Sequence, residues 1–320
     1  MMVFSFDKEK QEVFDELKEY GVPDNQAEKV ADVMATADMY GVTTHGASIL
    51  GSHIERVKRG SYNLHPEFRT IRQTSAFAVI DGDNAFGFVS ADYCMQFAIE
   101  KAKESGIFQV FSKNNNTVGP AFYYPLKAAL QGMIGIIFSN SPAQMPPSGG
   151  KEKILGTNPF SAVIPVPGYD PIIIDMATSV VAKSKFKEYK QAGKKLPDGW
   201  ALNKEGMPTN DPDEGIQGFV LPMGGYKGYN IALLIDILSG VVSGASYLNK
   251  VGRFYSEDGN GMNVGFCCIV INPYAVIGED YDDRINDFVK TIRNSKRMGT
   301  GEISLPGDRK NRAKKQNSDS

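Results

Sequence analysis

Three histidines, three cysteines and one tryptophan are the scarce reactive side chains of this 320-residue sequence. His45 stands in Thr43-Thr44-His45-Gly46, directly ahead of a helical stripe that the threonines are placed to cap. The positive end of a helix dipole favours the neutral imidazole. Such a ring takes a proton from an alcohol, or returns one to a carbonyl, near neutral pH. From spacing alone, a capping or solvated loop histidine is the simpler reading. His53 falls on the apolar stripe itself and reads as a core position, while His65 follows a turn at Ser61 to Asn63 and reads as exposed. Cys94 is isolated, and Cys267 and Cys268 are neighbours in an apolar run, so on a strand they face opposite ways. Neither CxxC nor CxxH spacing occurs, so no Cys/His zinc site is expected, and three free thiols suit a reducing compartment.

Two glycine- or hydroxyl-rich segments could hold a ligand. Pro222-Met223-Gly224-Gly225-Tyr226-Lys227-Gly228 leads into a long apolar helix. Its glycines would let backbone amides approach an anion, with Lys227 adding a point charge. The spacing is not that of a P-loop, and a plain glycine-rich turn explains it as well. Asp175-Met176-Ala177-Thr178-Ser179 follows a strand at Ile172 to Ile174, the place where α/β proteins tend to bind ligands, although a simple turn also fits. The lysines between 183 and 195 read as a solvated helix face or as a basic surface for a cofactor phosphate, and the basic residues from Arg309 to Lys315 as a frayed tail.

The elements that must position these residues follow from periodicity. Helical stripes are expected over Asp7 to Tyr20, from Asp24 onward, and through Ile49, Leu50, His53, Ile54 and Val57 to a stop at Gly60. After Thr74, strands are expected at Phe77 to Ile80, Phe108 to Phe111, Met133 to Phe138, Phe160 to Val166, Pro171 to Ile174 and Val264 to Ile271. Helices are expected at Val89 to Ser105, Pro125 to Leu130, Ala182 to Ala192, Gly228 to Val242 and Asp282 to Lys296. Three strands follow one another without intervening helices, so strict βαβ winding is not expected, and no G-x-G-x-x-G follows the first strand. The formal charge of −2 gives no field for nucleic acid or an anionic membrane. The apolar stretch Tyr229 to Leu248 contains Asp236, which favours a packed helix over a membrane span, and the N-terminus lacks a signal-peptide core. A cytoplasmic protein is expected.

Seven segments in order carry a family resemblance: ADMYGVTTHG (37–46), GMIGIIFSNS (132–141), LGTNPFSAVIPVP (155–167), DMATSVVA (175–182), PDGWALNKEGMPTNDP (197–212), GGYKGYNIALLIDILSGVVSGA (224–245) and ISLPGD (303–308). The chain resembles the malate/L-lactate dehydrogenase-like oxidoreductases, which include ureidoglycolate, sulfolactate and diketogulonate enzymes. The resemblance implies an α/β fold with a non-Rossmann mixed-sheet cofactor domain over 73–225. A helical, dimerising domain would be built from both chain ends, 1–72 and 226–320. It implies an NAD- or NADP-dependent homodimer that exchanges hydride with a small 2-hydroxy or 2-oxo acid, and His45 as the acid/base. It carries Thr157, Asp175, Met176, Ala177, Thr178, Ser179, Lys227, Gly228, Pro306, Gly307 and Asp308 over as cofactor contacts.

The chain departs from the family at the substrate. Where relatives carry a carboxylate-clamping arginine this chain has Ile49; the neighbouring serine, tyrosine and two further histidine positions hold Thr44, His53, Thr117 and Tyr226. Loss of a buried bidentate arginine weakens carboxylate binding by about 2–5 kcal/mol. Either Arg56, on the same helix face as Ile49, reaches the anion, or the pocket is reshaped with Thr44, His53, Thr117 and Ser141 as polar contacts; the joint change of several positions favours the second. The alternatives to an active oxidoreductase are a nucleotide-binding protein of the same fold that has lost catalysis and, last, a transferase cradling an anion at Gly224 to Gly228.

Overall fold

Apolar residues at helical spacing give the N-terminal pair of helices, α1 (Phe6–Glu19) and α2 (Asp24–Met39), which pack together. Val13 and Leu17 of α1 and Ala27, Val30, Ala31 and Met34 of α2 are buried between them and the sheet-side core. The computed structural model describes residues 5–318. After α2 the chain makes two short 3-10 turns, Thr43–His45 and Ala47–Ile49, before α3 (Leu50–Lys58). Thr43 and Thr44 therefore do not cap α3, which begins at Ile49 without any side-chain cap.

The sheet has seven strands: β1 (Arg69–Gln73), β2 (Phe77–Asp81), β3 (Ile107–Asn115), β4 (Ile134–Ser139), β5 (Phe160–Ile164), β6 (Ile172–Met176) and β7 (Val264–Ile271), in the order β1-β2-β3-β7-β4-β5-β6. Only β2 and β3 pair in parallel; every other neighbouring pair is antiparallel. The sheet is thus mixed, without Rossmann winding. Helices α4 (Gly87–Ser105) and α5 (Tyr123–Ala129) cover one face. Strand β1 had no signal in the sequence: all five residues are exposed, so no alternation betrays it.

Strand β7 comes from the 226–320 stretch and lies in the middle of the sheet. Six of its eight residues, including Cys267 and Cys268, are buried. A run apolar on both faces needs cover on both, which only an interior strand receives. The π-helical turn at Ile237–Val242, which follows α7 (Tyr226–Asp236), packs on β7, and the chain also forms α6 (Ser184–Gln191), α8 (Asp280–Arg293) and α9 (Asp308–Ser318). The stretch expected to fray at the C-terminus is α9. It has no apolar stripe and is held by tertiary polar bonds: Lys310 to Asp175 at 3.1 Å, Asn311 to the Pro171 carbonyl at 3.1 Å, and Asn317 to the Asp38 and Met39 carbonyls.

The strand directions bring the C-terminal ends of β3, β4 and β6 and the N-terminal ends of β5 and β7 to one edge of the sheet. Close packing beneath that edge depends on Gly265. A Cβ there would lie 1.6 Å from the Ser239 carbonyl oxygen in the π-helical turn. We expect Gly265→Ala to cost about 3 kcal/mol or more in urea unfolding, whereas Gly51→Ala, in open space on α3, gains about 0.5–1 kcal/mol. A loss below about 1 kcal/mol for Gly265→Ala would contradict the packing described.

Candidate active site

The turn bearing His45 is held by a carboxylate from α2. Asp38 Oδ2 accepts the Ala47 N–H at 2.7 Å. Gly46 lies so close to the same group that a Cβ would sit 1.9 Å from Oδ2, which is why no larger residue fits between His45 and Ala47. Glu9 of α1 faces Asp38; burial, and next the Asp38 charge, push its carboxyl up to about 8, which favours a protonated Glu9 beside the Asp38 carboxylate. Neither acid was singled out in the sequence, where nothing marks Asp38 off from other helix-end carboxylates.

His45 is half-buried, and its Nδ1 lies 3.0 Å from Thr44 Oγ1. Burial lowers its pKa below the ordinary imidazole value; Asp175 opposes that shift and Lys310 adds to it. The shift favours the neutral ring through burial, where a helix dipole from a threonine-capped α3 was expected to do so.

His45 opens onto a cleft of about 440 Å³ at the sheet edge. Thr44, Thr117, Ser141, Thr157, Asp175, Met176 and Ala177, all expected site residues, line it with His45. Thr178 and Ser179 stand behind the wall: Thr178 bonds the Thr157 carbonyl through both its N–H and its hydroxyl at 3.0 Å, and Ser179 bridges to Pro222. Gly228 is buried against the Met223 and Thr178 backbones, with Lys227 exposed beside it, and neither lines the cleft. Pro306 to Asp308 lie along β6, where the Pro306 carbonyl accepts the Ile173 N–H. Asp308 is partly buried, which would raise its pKa, but a two-pronged pair with Arg293 holds its carboxyl below the usual range. Pro306 and Asp308 line a separate, smaller depression, with Lys310 the link back to Asp175. Tyr255 and Met262 line the cleft too and carried no sequence signal.

His53, expected among the polar contacts of the pocket, is 1% exposed and does not line the cleft. Its Nδ1 meets the Tyr62 hydroxyl at 2.8 Å, Phe86, Phe88 and Phe254 surround the ring, and Nε2 has no partner among the described residues. The helical period of α3 turns that face into the core. Arg56, one turn on, is equally buried and committed to the Phe254 carbonyl, Asn116 Oδ1 and the Asn260 carbonyl at 2.9, 2.9 and 3.4 Å, so it does not reach the cleft. Among the described residues no group of three or more His, Cys, Asp or Glu side chains is placed to hold a metal.

The mixed sheet sets this fold outside the Rossmann class. The family model described as malate/L-lactate dehydrogenase matches residues 4–320, and the chain belongs to that family. It is 39% identical over 289 residues to a malate dehydrogenase of Pyrococcus horikoshii, covering 88% of this chain and 79% of that protein. It is 38% identical over 320 residues to an L-sulfolactate dehydrogenase of Methanocaldococcus jannaschii, covering 99% and 92%. A solved sulfolactate dehydrogenase from M. jannaschii superposes with a TM-score of 0.92 at 37% identity, over 98% of this chain and 91% of that one. A ureidoglycolate dehydrogenase (NAD(+)) of Escherichia coli K12 is 36% identical over 253 residues, covering 79% of this chain and 72% of that protein.

Burial, then the Arg56 charge, pushes the His53 pKa down to about 3. A depressed pKa contributes stability that is present above the unfolded value of 6.5 and is lost as pH falls from 6.5 toward 3, because only the unfolded chain takes up the proton in that window. In urea unfolding at pH 7.5 and 5.0, the wild type should lose up to about 1.4 kcal/mol more per pH unit below 6.5 than His53→Gln. Parallel losses would show that His53 is not buried neutral.

Proposed function

We propose that the chain transfers hydride between NAD or NADP and a small 2-hydroxy or 2-oxo acid, with His45 as the acid/base. The observation that carries this reading is a neutral imidazole at a cleft, with one ring nitrogen engaged by Thr44 and the other left for a substrate oxygen. The donor set of the cleft fits a nicotinamide nucleotide. Val118, Pro159 and Met176 offer apolar surface to a planar ring, and Thr117, Ser141, Thr157 and the Asp175 carboxylate offer partners for amide and ribose groups. The bound nicotinamide supplies the hydride acceptor or donor.

The side chains of the protein do the rest. Thr44 fixes the plane of the His45 ring, so that its free nitrogen accepts the substrate hydroxyl proton as the alcohol carbon is oxidised, or returns one to the oxyanion in the reverse direction. The imidazolium formed is offset by Asp175, whose charge favours the protonated ring. Thr178, bonded to Thr157, holds the Asp175 to Ala177 wall against β5. The exposed apolar side chains Leu234, Ile237 and Val241, on α7 and the turn after it, support a homodimer. No helix among the described residues is long and apolar enough to cross a membrane. The domain reading is a helical part drawn from both chain ends against the sheet, with β7 contributed to the sheet by the C-terminal part.

His45→Gln should lower kcat in both directions by about 10²–10⁴-fold while leaving the NADH dissociation constant within about threefold, measured by steady-state kinetics and fluorescence titration. Turnover at the wild-type rate would sink the assignment.

A further inference from the structure

The cleft has a cation where the family arginine is absent. Ile49 packs on the core, Arg56 is committed to three oxygens, and Lys310 is paired with Asp175. Lys183, immediately before α6, lines the cleft that holds His45. Its Nζ donates to the Gly218 carbonyl at 3.2 Å, which leaves two N–H groups to donate elsewhere. Among the described residues no carboxylate forms an ion pair with it. Lys153 approaches from the other side and donates to the adjacent Gln217 carbonyl at 3.0 Å. Two half-buried ammonium groups therefore converge on the C-terminal end of the short helix Pro212–Gln217 without an acid between them. The helix C-terminus attracts both cations, but their mutual repulsion is left without a carboxylate to offset it. An anion in the cleft would relieve it.

Resting on the proposed function, we propose that Lys183 is the anion anchor of the His45 cleft and takes the carboxylate of the 2-hydroxy or 2-oxo acid. One wall then handles the substrate hydroxyl through His45 and the other its carboxylate through Lys183. A lysine is a point charge where arginine is a planar fork, so carboxylates of varied tilt are accepted at this position. This accounts for an anion-handling cleft that survives the change at Ile49.

The anchor has a signature that a structural lysine lacks. Burial, then Lys153, hold the Lys183 amine down to about 7. The other charged groups around it are His45 and Asp175 in the same cleft, with Lys310 on Asp175, and Lys187 over the Tyr255 ring on α6; Lys185 is paired with Glu188. A lowered lysine pKa means that the cation is present below about 7 and is lost above it.

The test is calorimetric titration of the NADH-loaded protein with oxalate, a carboxylate that cannot be reduced, from pH 6 to 9. The wild type should bind oxalate with an affinity that is flat below pH 7 and falls toward about tenfold per pH unit above it. Lys183→Arg should keep the affinity and abolish that fall, and Lys183→Met should weaken oxalate about 30-fold or more with NADH affinity and Tm unchanged. Absence of oxalate binding to the wild type, or equal binding by Lys183→Met, overturns the anchor. So does a Lys183→Met variant that loses NADPH but neither NADH nor oxalate, which would place a 2′-phosphate there. Turnover of 2-oxo acids is scored separately: lysine-dependent oxalate binding without turnover removes the acid/base reading and keeps the anchor, and turnover with lysine-independent oxalate binding does the reverse.

Discussion

The Asp38 carboxylate, accepting the Ala47 N–H at 2.7 Å, is the contact on which the site depends. It turns the chain sharply after α2 and fixes Gly46 against itself, so the imidazole of His45 projects into the cleft. The carboxylate is half desolvated and would be costly alone. Glu9, favoured in its protonated form beside it, offsets that cost, and α9 closes over the same point through Asn317, bonded to the Asp38 and Met39 carbonyls. Both chain ends thus converge on the residue that positions His45.

The sheet provides the opposite wall by direction alone. Because β3, β4 and β6 run the same way, Thr117, Ser141 and Asp175 emerge at one edge from segments far apart in sequence. The apolar strand β7 between β3 and β4 keeps these ends rigidly spaced. Lys310 then ties Asp175 to α9, so the carboxylate that tempers the His45 pKa is itself held from the C-terminal end.

Much of this was legible where one physical signal dominated. The β7 limits, Val264–Ile271, coincide with its uninterrupted apolar run, and the α3 stripe correctly read His53 as a core position. The family resemblance pulled His53 toward the pocket instead; helical period decided, because a half-turn difference separates core from cleft. Polar tertiary bonds left no trace in local pattern. Helix α9, with its basic run, reads as a tail until Asp175, Pro171 and Asp38 are in place to receive Lys310, Asn311 and Asn317. Asp38 and Glu9 were missed for the same reason, and the exposed β1 offered no alternation. Of the residues carried over by resemblance as cofactor contacts, the cleft gathers Thr157, Asp175, Met176 and Ala177; Thr178 and Ser179 stand behind its wall, and Lys227, Gly228 and Pro306 to Asp308 lie outside it.

We propose that hydride transfer occurs in the cleft between His45 and the β6 end. A crystal structure with NADH and oxalate bound tests it most directly. The nicotinamide ring is expected against Met176 and Ala177, its C4 facing oxalate, with an oxalate oxygen within hydrogen-bonding distance of the free His45 nitrogen. A nicotinamide ring bound outside this cleft, or oxalate out of reach of His45, would contradict it.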